Sequence, residues 1–97
     1  MAKNELQMTI LSPTAVIYDG RILSVTFPGA AGSFAVYPSH APIIAALKAG
    51  VIAYCTAPHA PQTVSIRSGF VEVDNNRVTV CVEEDPTGRQ TAKPAET

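Results

Sequence analysis

The residues of this 97-residue chain with reactive side chains are two histidines, two cysteines and eight carboxylates. His40 lies in Pro38-Ser39-His40-Ala41-Pro42 and His59 in Pro58-His59-Ala60-Pro61, both turn contexts. A metal centre needs at least three convergent ligands, and neither segment holds a carboxylate or a thiol. A nucleophile elbow, a phosphate-binding glycine loop and an HExxH pattern are all missing. His40 therefore reads as a residue that orders its own loop by hydrogen bonding or meets a partner. No catalytic residue, metal ligand or cofactor is predicted, and a metal-dependent enzyme built on His40 is the weakest of the available readings.

Cys55 and Cys81 fall inside apolar segments, Val51-Ile52-Ala53-Tyr54-Cys55 and Val78-Thr79-Val80-Cys81-Val82. They read as free thiols acting as small hydrophobes, because no CxxC pattern brings ligands together. Asp19 and Asp74 read as turn residues, and Glu83-Glu84-Asp85 reads as a solvated acidic run. Three Phe, three Tyr and no Trp are too few and too scattered for a base-stacking platform.

Positioning elements follow from the hydropathy pattern. Leu6, Met8 and Ile10 alternate with polar neighbours, as do Val64 and Ile66, Val71 and Val73, and Val78, Val80 and Val82. This period of two belongs to half-buried strands facing one core. In the segment from Ile22 to Phe27, Leu23, Val25 and Phe27 are the expected inward set, alternating with Ile22, Ser24 and Thr26. Ser12-Pro13, Asp19-Gly20, Pro28-Gly29, Gly32, Pro38-Ser39, Gly50 and Asp74-Asn75-Asn76 punctuate the strands. Asn75 and Asn76 suit the positive φ of a tight hairpin, and Asp19-Gly20 is expected to join Val16–Tyr18 to Arg21–Leu23 in the same manner. The fold class is all-β, a flattened sandwich or barrel of short, mainly antiparallel strands.

Ala41-Pro42-Ile43-Ile44-Ala45-Ala46-Leu47 breaks the alternation. It is either a buried strand or a helical turn, and a run this apolar also suits a partner surface. From residue 85 to 97 no large apolar residue occurs, so the expected division is a domain over 1–84 and a flexible polar tail over 85–97.

Composition narrows the functional class. Hydrophobic residues make up 46% and charged residues only 15%, against roughly 25% charged in an ordinary soluble domain; surplus apolar surface for partners follows. A net charge of -1 with seven scattered basic residues argues against a broad grip on nucleic acid. No apolar run reaches the length of a membrane span. Met1–Glu5 lacks the layout of a signal peptide, which predicts a cytosolic protein.

The ordered set Phe27-Pro28-Gly29-Ala30-Ala31-Gly32, then Pro38-Ser39-His40-Ala41-Pro42, then Leu47-Lys48-Ala49-Gly50, resembles the signature of bacterial F-type ATP synthase epsilon subunits. Leu11-Ser12-Pro13 through Tyr18-Asp19-Gly20 is similar to that family's opening strand pair, and Ser68-Gly69-Phe70 to its closing Gly-Gly-Phe hairpin. The resemblance covers roughly Leu6 to Glu83. It implies a sandwich of about ten short strands and a place in the central stalk of the rotor. There a non-catalytic subunit docks gamma to the polar loops of the membrane c-ring and couples proton or sodium-ion flow to ATP synthesis.

Carried over by position, Ser33, Pro38, Ser39 and His40 would face the c-ring, while Ser12, Ala41 and Ala45 would face gamma. Gly29, Gly32, Pro42, Gly50 and Gly69 would shape the turns, with Pro38 and Pro42 stiffening the loop around His40. The resemblance places the protein at the bacterial cytoplasmic face of the cell membrane, held there peripherally through the complex. Ser39 and Ser68 stand where the family usually has Gly, and Ser33 where many members carry an acid. A positive φ at Ser39 would cost about 1 kcal/mol. The polar C-terminal stretch has no amphipathic helical pattern, which predicts a subunit without the family's inhibitory helical hairpin. A free-standing sandwich that binds a small molecule or peptide is the alternative.

Overall fold

A computed structural model describes residues 5–85; apart from Asp85, the expected polar tail lies outside them. Eight strands follow one another along the described chain: β1 (Leu6–Leu11), β2 (Val16–Ile22), β3 (Ser24–Phe27), β4 (Phe34–Val36), β5 (Ile43–Leu47), β6 (Gly50–Cys55), β7 (Pro61–Asp74) and β8 (Arg77–Glu84). All described elements are strands, as the alternation requires, and the apolar run from Ala41 yields β5 over Ile43–Leu47, a strand with Ile44 and Ala46 exposed rather than a buried one.

The hydrogen-bonded order is β2-β1-β8-β7-β6-β3-β4, with β5 added to β7. The 14-residue β7 explains how one path makes two layers. Its first part, Pro61–Ile66, pairs with β6, and its second part, Gly69–Val73, pairs with β5. Between them the register against β8 shifts at Ile66/Ser68, the kind of irregularity that bends a strand. One bent strand thus does the work of two, and the count is eight rather than about ten. All pairings are antiparallel except β1 with β8.

The two layers close over one core. Leu6, Met8, Ile10, Ile22, Leu47, Val71, Val73, Val78, Val80 and Val82 come from one layer. Val25, Phe27, Val36, Ile52, Tyr54, Val64 and Ile66 come from the other. Burying each large aliphatic side chain is worth about 1.5–3 kcal/mol, which is why the alternating positions select the layer faces. Phe27 and Phe34 pack at 5.5 Å between ring centroids. Tyr18 of β2 meets Tyr54 of β6 at 4.8 Å, a contact across the layers.

Two expectations fail in the same place. Asp19-Gly20 is not a turn: β2 runs through it unbroken, opposite Thr9 and Met8 of β1. The Asp19 carboxylate accepts from the Thr9 hydroxyl at 3.0 Å and from the Gln7 amide at 3.3 Å, so it is a cross-strand partner. The inward phase also resets one residue later than expected. Ile22 is buried at the end of β2, whereas Leu23 is only half-buried at the corner before β3, where the chain leaves one layer for the other. The hairpin at Asn75-Asn76 forms as expected, with φ of 52° and 61°, matching a type I′ turn.

Candidate docking surface

The segment around His40 is built by a turn. The His40 N–H donates to the Tyr37 carbonyl at 3.2 Å, Pro38 occupies the second position, and Ser39 the third with φ 69°. That is the arrangement of a type II turn, which favours Pro at the second position and Gly at the third. Ser39 therefore holds the positive φ that glycine adopts without strain. Its N–H donates to the Asn76 Oδ1 at 2.6 Å, tying this turn to the β7–β8 hairpin. The His40 Nδ1 lies 2.7 Å from the Ala41 carbonyl oxygen. Since a carbonyl only accepts, Nδ1 donates, and in the neutral ring Nε2 keeps its lone pair for solvent or a partner. Among the described residues no three of His, Cys, Asp and Glu converge on one point.

The other loop of interest runs from Pro28 to Ser33. The Gly32 N–H donates to the Gly29 carbonyl at 3.0 Å, and a Cβ on Gly29 would collide with the Gly32 carbonyl oxygen and lie 2.9 Å from the Phe34 ring. Glycine at 29 is thus required by close approach rather than by backbone φ. Bonds from the Ala30 N–H to the Ala46 carbonyl and from the Lys48 N–H to the Pro28 carbonyl, both 2.9 Å, fasten the loop to the end of β5. A Cβ on Gly50 would sit 2.8 Å from Pro28 of the same loop, and Gly32 has φ 135°.

Ser33 and the Pro38–His40 turn lie at opposite ends of β4, a strand of three residues. Ser33 and Ser39 are exposed, while Pro38 and His40 are half-buried. Ala41 and Pro42 are exposed just ahead of β5, and Ala45 is half-buried against the core. Ser12 is at the far end of β1. Its hydroxyl is engaged in its own turn, accepting from the Ala15 N–H at 3.1 Å while its N–H donates to the Ala15 carbonyl at 2.9 Å. Ser12 is thus a turn brace with little left to offer a partner by hydrogen bonding.

What connects Ser12 to the Ala41–Ala45 segment is a row the sequence does not display. On the outer face of the β5-β7-β8-β1-β2 layer, Ala46 stands opposite Phe70, Phe70 opposite Cys81, and Cys81 opposite Leu11. A shallow apolar groove runs between Leu11, Ser12, Phe70, Cys81 and Val82. Ile44, 76% exposed, and Phe70, 54% exposed, are diagonal neighbours on this face. Toward the Asn75-Asn76 hairpin the face turns polar, with Asp74 opposite Arg77 and Gln7 opposite both Arg77 and Arg21. Cys55 and Cys81 are half-buried free thiols. Tyr37, 60% exposed, adds an aromatic at the turn. Of these, only the run containing Ile44 carried a sequence signal, its unbroken apolarity.

A family profile described as "ATP synthase, Delta/Epsilon chain, beta-sandwich domain" matches residues 5–85. The chain belongs to this family. Among similar curated proteins, the ATP synthase epsilon chain of Sulfurimonas denitrificans is 44% identical over 80 residues, covering 82% of this chain and 62% of that protein. The ATP synthase epsilon chain of Sulfurovum is 37% identical over 78 residues, covering 80% and 61%. The chain thus spans about three fifths of the length of these relatives. A solved structure of the Euglena gracilis mitochondrial ATP synthase, comprising OSCP, F1 and the c-ring, contains a chain that superposes with a TM-score of 0.79. The identity is 17%, over 84% of this chain and 52% of that one, a likeness of fold. As a delta/epsilon-type β-sandwich, the chain has its glycine and proline punctuation explained by the two loops that flank β4 and β5.

Proposed function

We propose that the protein is a non-catalytic central-stalk subunit of an F-type ATP synthase, docking a gamma-type subunit and resting a stiff turn on the polar loops of a c-ring. In that role it couples proton or sodium-ion flow to ATP synthesis without chemistry of its own. The observation that carries this reading is the uncharged row Ala46-Phe70-Cys81-Leu11 with the exposed Ile44 beside it, on a domain of the ATP synthase delta/epsilon family. A contiguous apolar face on a small domain marks a protein contact. Gamma would cover this face from the Ala41–Ala45 segment to Ser12. The Pro38-Ser39-His40 turn and Ser33, at the two ends of β4, would face the ring.

Among the described residues no helix is long and apolar enough to cross a membrane. Association with the cytoplasmic face of a bacterial membrane would therefore run through the complex. The domain is assigned to residues 1–84. The test is reconstitution of this chain with gamma and the c-ring of its own organism, followed by co-purification and ATPase assay. Stable incorporation supports the rotor reading. A chain that remains alone, binds no gamma and leaves ATPase coupling unchanged overturns it in favour of an independent ligand-binding sandwich.

A further inference from the structure

We infer that Asn76 is the positioning residue of the docking turn, setting the shape in which Pro38-Ser39-His40 meets its partner. This rests on the reading of that turn as a contact segment. In a type II turn the third residue's N–H is not used by the turn's own hydrogen bond, and at Ser39 that N–H is captured by the Asn76 side chain at 2.6 Å. The same asparagine has φ 61°, which turns the hairpin, and its carbonyl accepts from the Gln7 N–H at 2.9 Å. One residue therefore joins three parts of the chain: the hairpin, the start of β1 and the turn.

The molecule contains its own comparison. Ala57-Pro58-His59-Ala60 repeats the geometry, with the Ala60 N–H donating to the Ala57 carbonyl at 3.1 Å and His59 at φ 63°. Among the described residues no side chain accepts from the His59 N–H. The two turns thus differ in whether a distant side chain holds the third residue's N–H, and the one so held is the turn next to the exposed Ile44 and Tyr37. A non-glycine residue at positive φ is costly, so an acceptor aimed at its N–H biases the turn toward the docked shape before any partner arrives. Preformed contact loops bind more tightly because less order is lost on association.

The variants follow from the geometry. Asn76→Ala would place a side chain at positive φ without compensation and risks the hairpin itself. Asn76→Gly keeps the hairpin φ and removes only the acceptor, whereas Asn76→Asp keeps both. Amide hydrogen exchange on the full chain should show the Ser39 N–H exchanging roughly tenfold faster in N76G, with thermal stability close to wild type and protection restored in N76D. Affinity for the gamma–c-ring assembly should fall severalfold in N76G and recover in N76D. Unchanged Ser39 exchange in N76G overturns the inference, as does faster exchange with undiminished affinity. If the wild-type chain itself fails to join the assembly, the rotor reading falls, while the exchange arm still decides whether Asn76 holds the turn.

Discussion

Gly69 of β7 passes Cys81 of β8 so closely that a Cβ on Gly69 would lie 2.5 Å from the Cys81 carbonyl oxygen and 3.1 Å from the Val82 Cα. The approach occurs beside the register shift at Ile66/Ser68, where β7 leaves one layer for the other. Both neighbours are backbone and cannot rotate away. Gly69→Ala must therefore push the strands apart, a cost of about 1–3 kcal/mol. Urea denaturation should show the midpoint falling at an unchanged slope, with shift multiplied by slope giving that cost. A fully stable G69A would mean that the bend tolerates a wider spacing.

On the outer face the proposed docking role can be tested apart from folding. Ile44 is 76% exposed, so Ile44→Ser removes apolar contact area without opening the core, and its effect on stability should stay within about 0.5 kcal/mol. Under the proposed rotor role, its effect on gamma binding should be a clear loss, read by co-purification or titration calorimetry. Equal affinity in I44S would remove Ile44 from the interface.

Stiffness at the turn is separately testable. Replacing Pro38 and Pro42 by Gly widens the unfolded and loop ensembles while leaving the core residues in place. Under the proposed rotor role, attachment to the c-ring should weaken more than the melting temperature falls. Outright unfolding of this double variant would make the turn a structural element and remove support for its role as a contact.

Alkaline pH should destabilise the fold through the tyrosine pair. Burial raises the Tyr54 phenol above its ordinary 10.0, with Tyr18 adding to the effect. Tyr18 is raised by burial and then by Asp19. Because the folded values lie above the unfolded ones, the unfolded chain loses its phenolic protons first as pH rises. Stability is then full below the unfolded value near 10 and declines as pH climbs toward the folded values. Denaturation midpoints measured across that window should fall, and Tyr54→Phe should flatten the fall. An identical decline in Y54F would assign it to other groups.

Alternation read along the chain captured β1, β7 and β8 because their neighbours in sequence are also the residues that share a layer face. It failed from Asp19 to Leu23 for two distinct reasons. Asp-Gly is a local turn signal, but the partners that hold Asp19 in a strand, Thr9 and Gln7, are on β1 and invisible to a local pattern. Leu23 marks a corner between layers, where the phase of burial resets. The same distinction holds at the proposed docking surface. Pro38 and Pro42 announced a turn, yet the sign of φ at Ser39 and its hold by Asn76, 37 residues away, exist only in three dimensions. The apolar row is assembled from four strands with one or two residues each, so no window along the chain contains it.

The parallel pairing of β1 with β8 has a consequence for how the chain comes into being. Gln7 lies beside Arg77 and Leu11 beside Cys81, so β1, paired on one side with β2, finds its second neighbour only in β8, the last of the described strands. During synthesis, which proceeds at about 5–20 residues per second, β1 and β2 emerge with an apolar side that has nothing yet to cover it. Closure of the core waits for Val78, Val80 and Val82 to clear the ribosome. A single domain of this size is expected to close its core cooperatively, leaving the apolar side of its first strands without its final cover until β8 arrives.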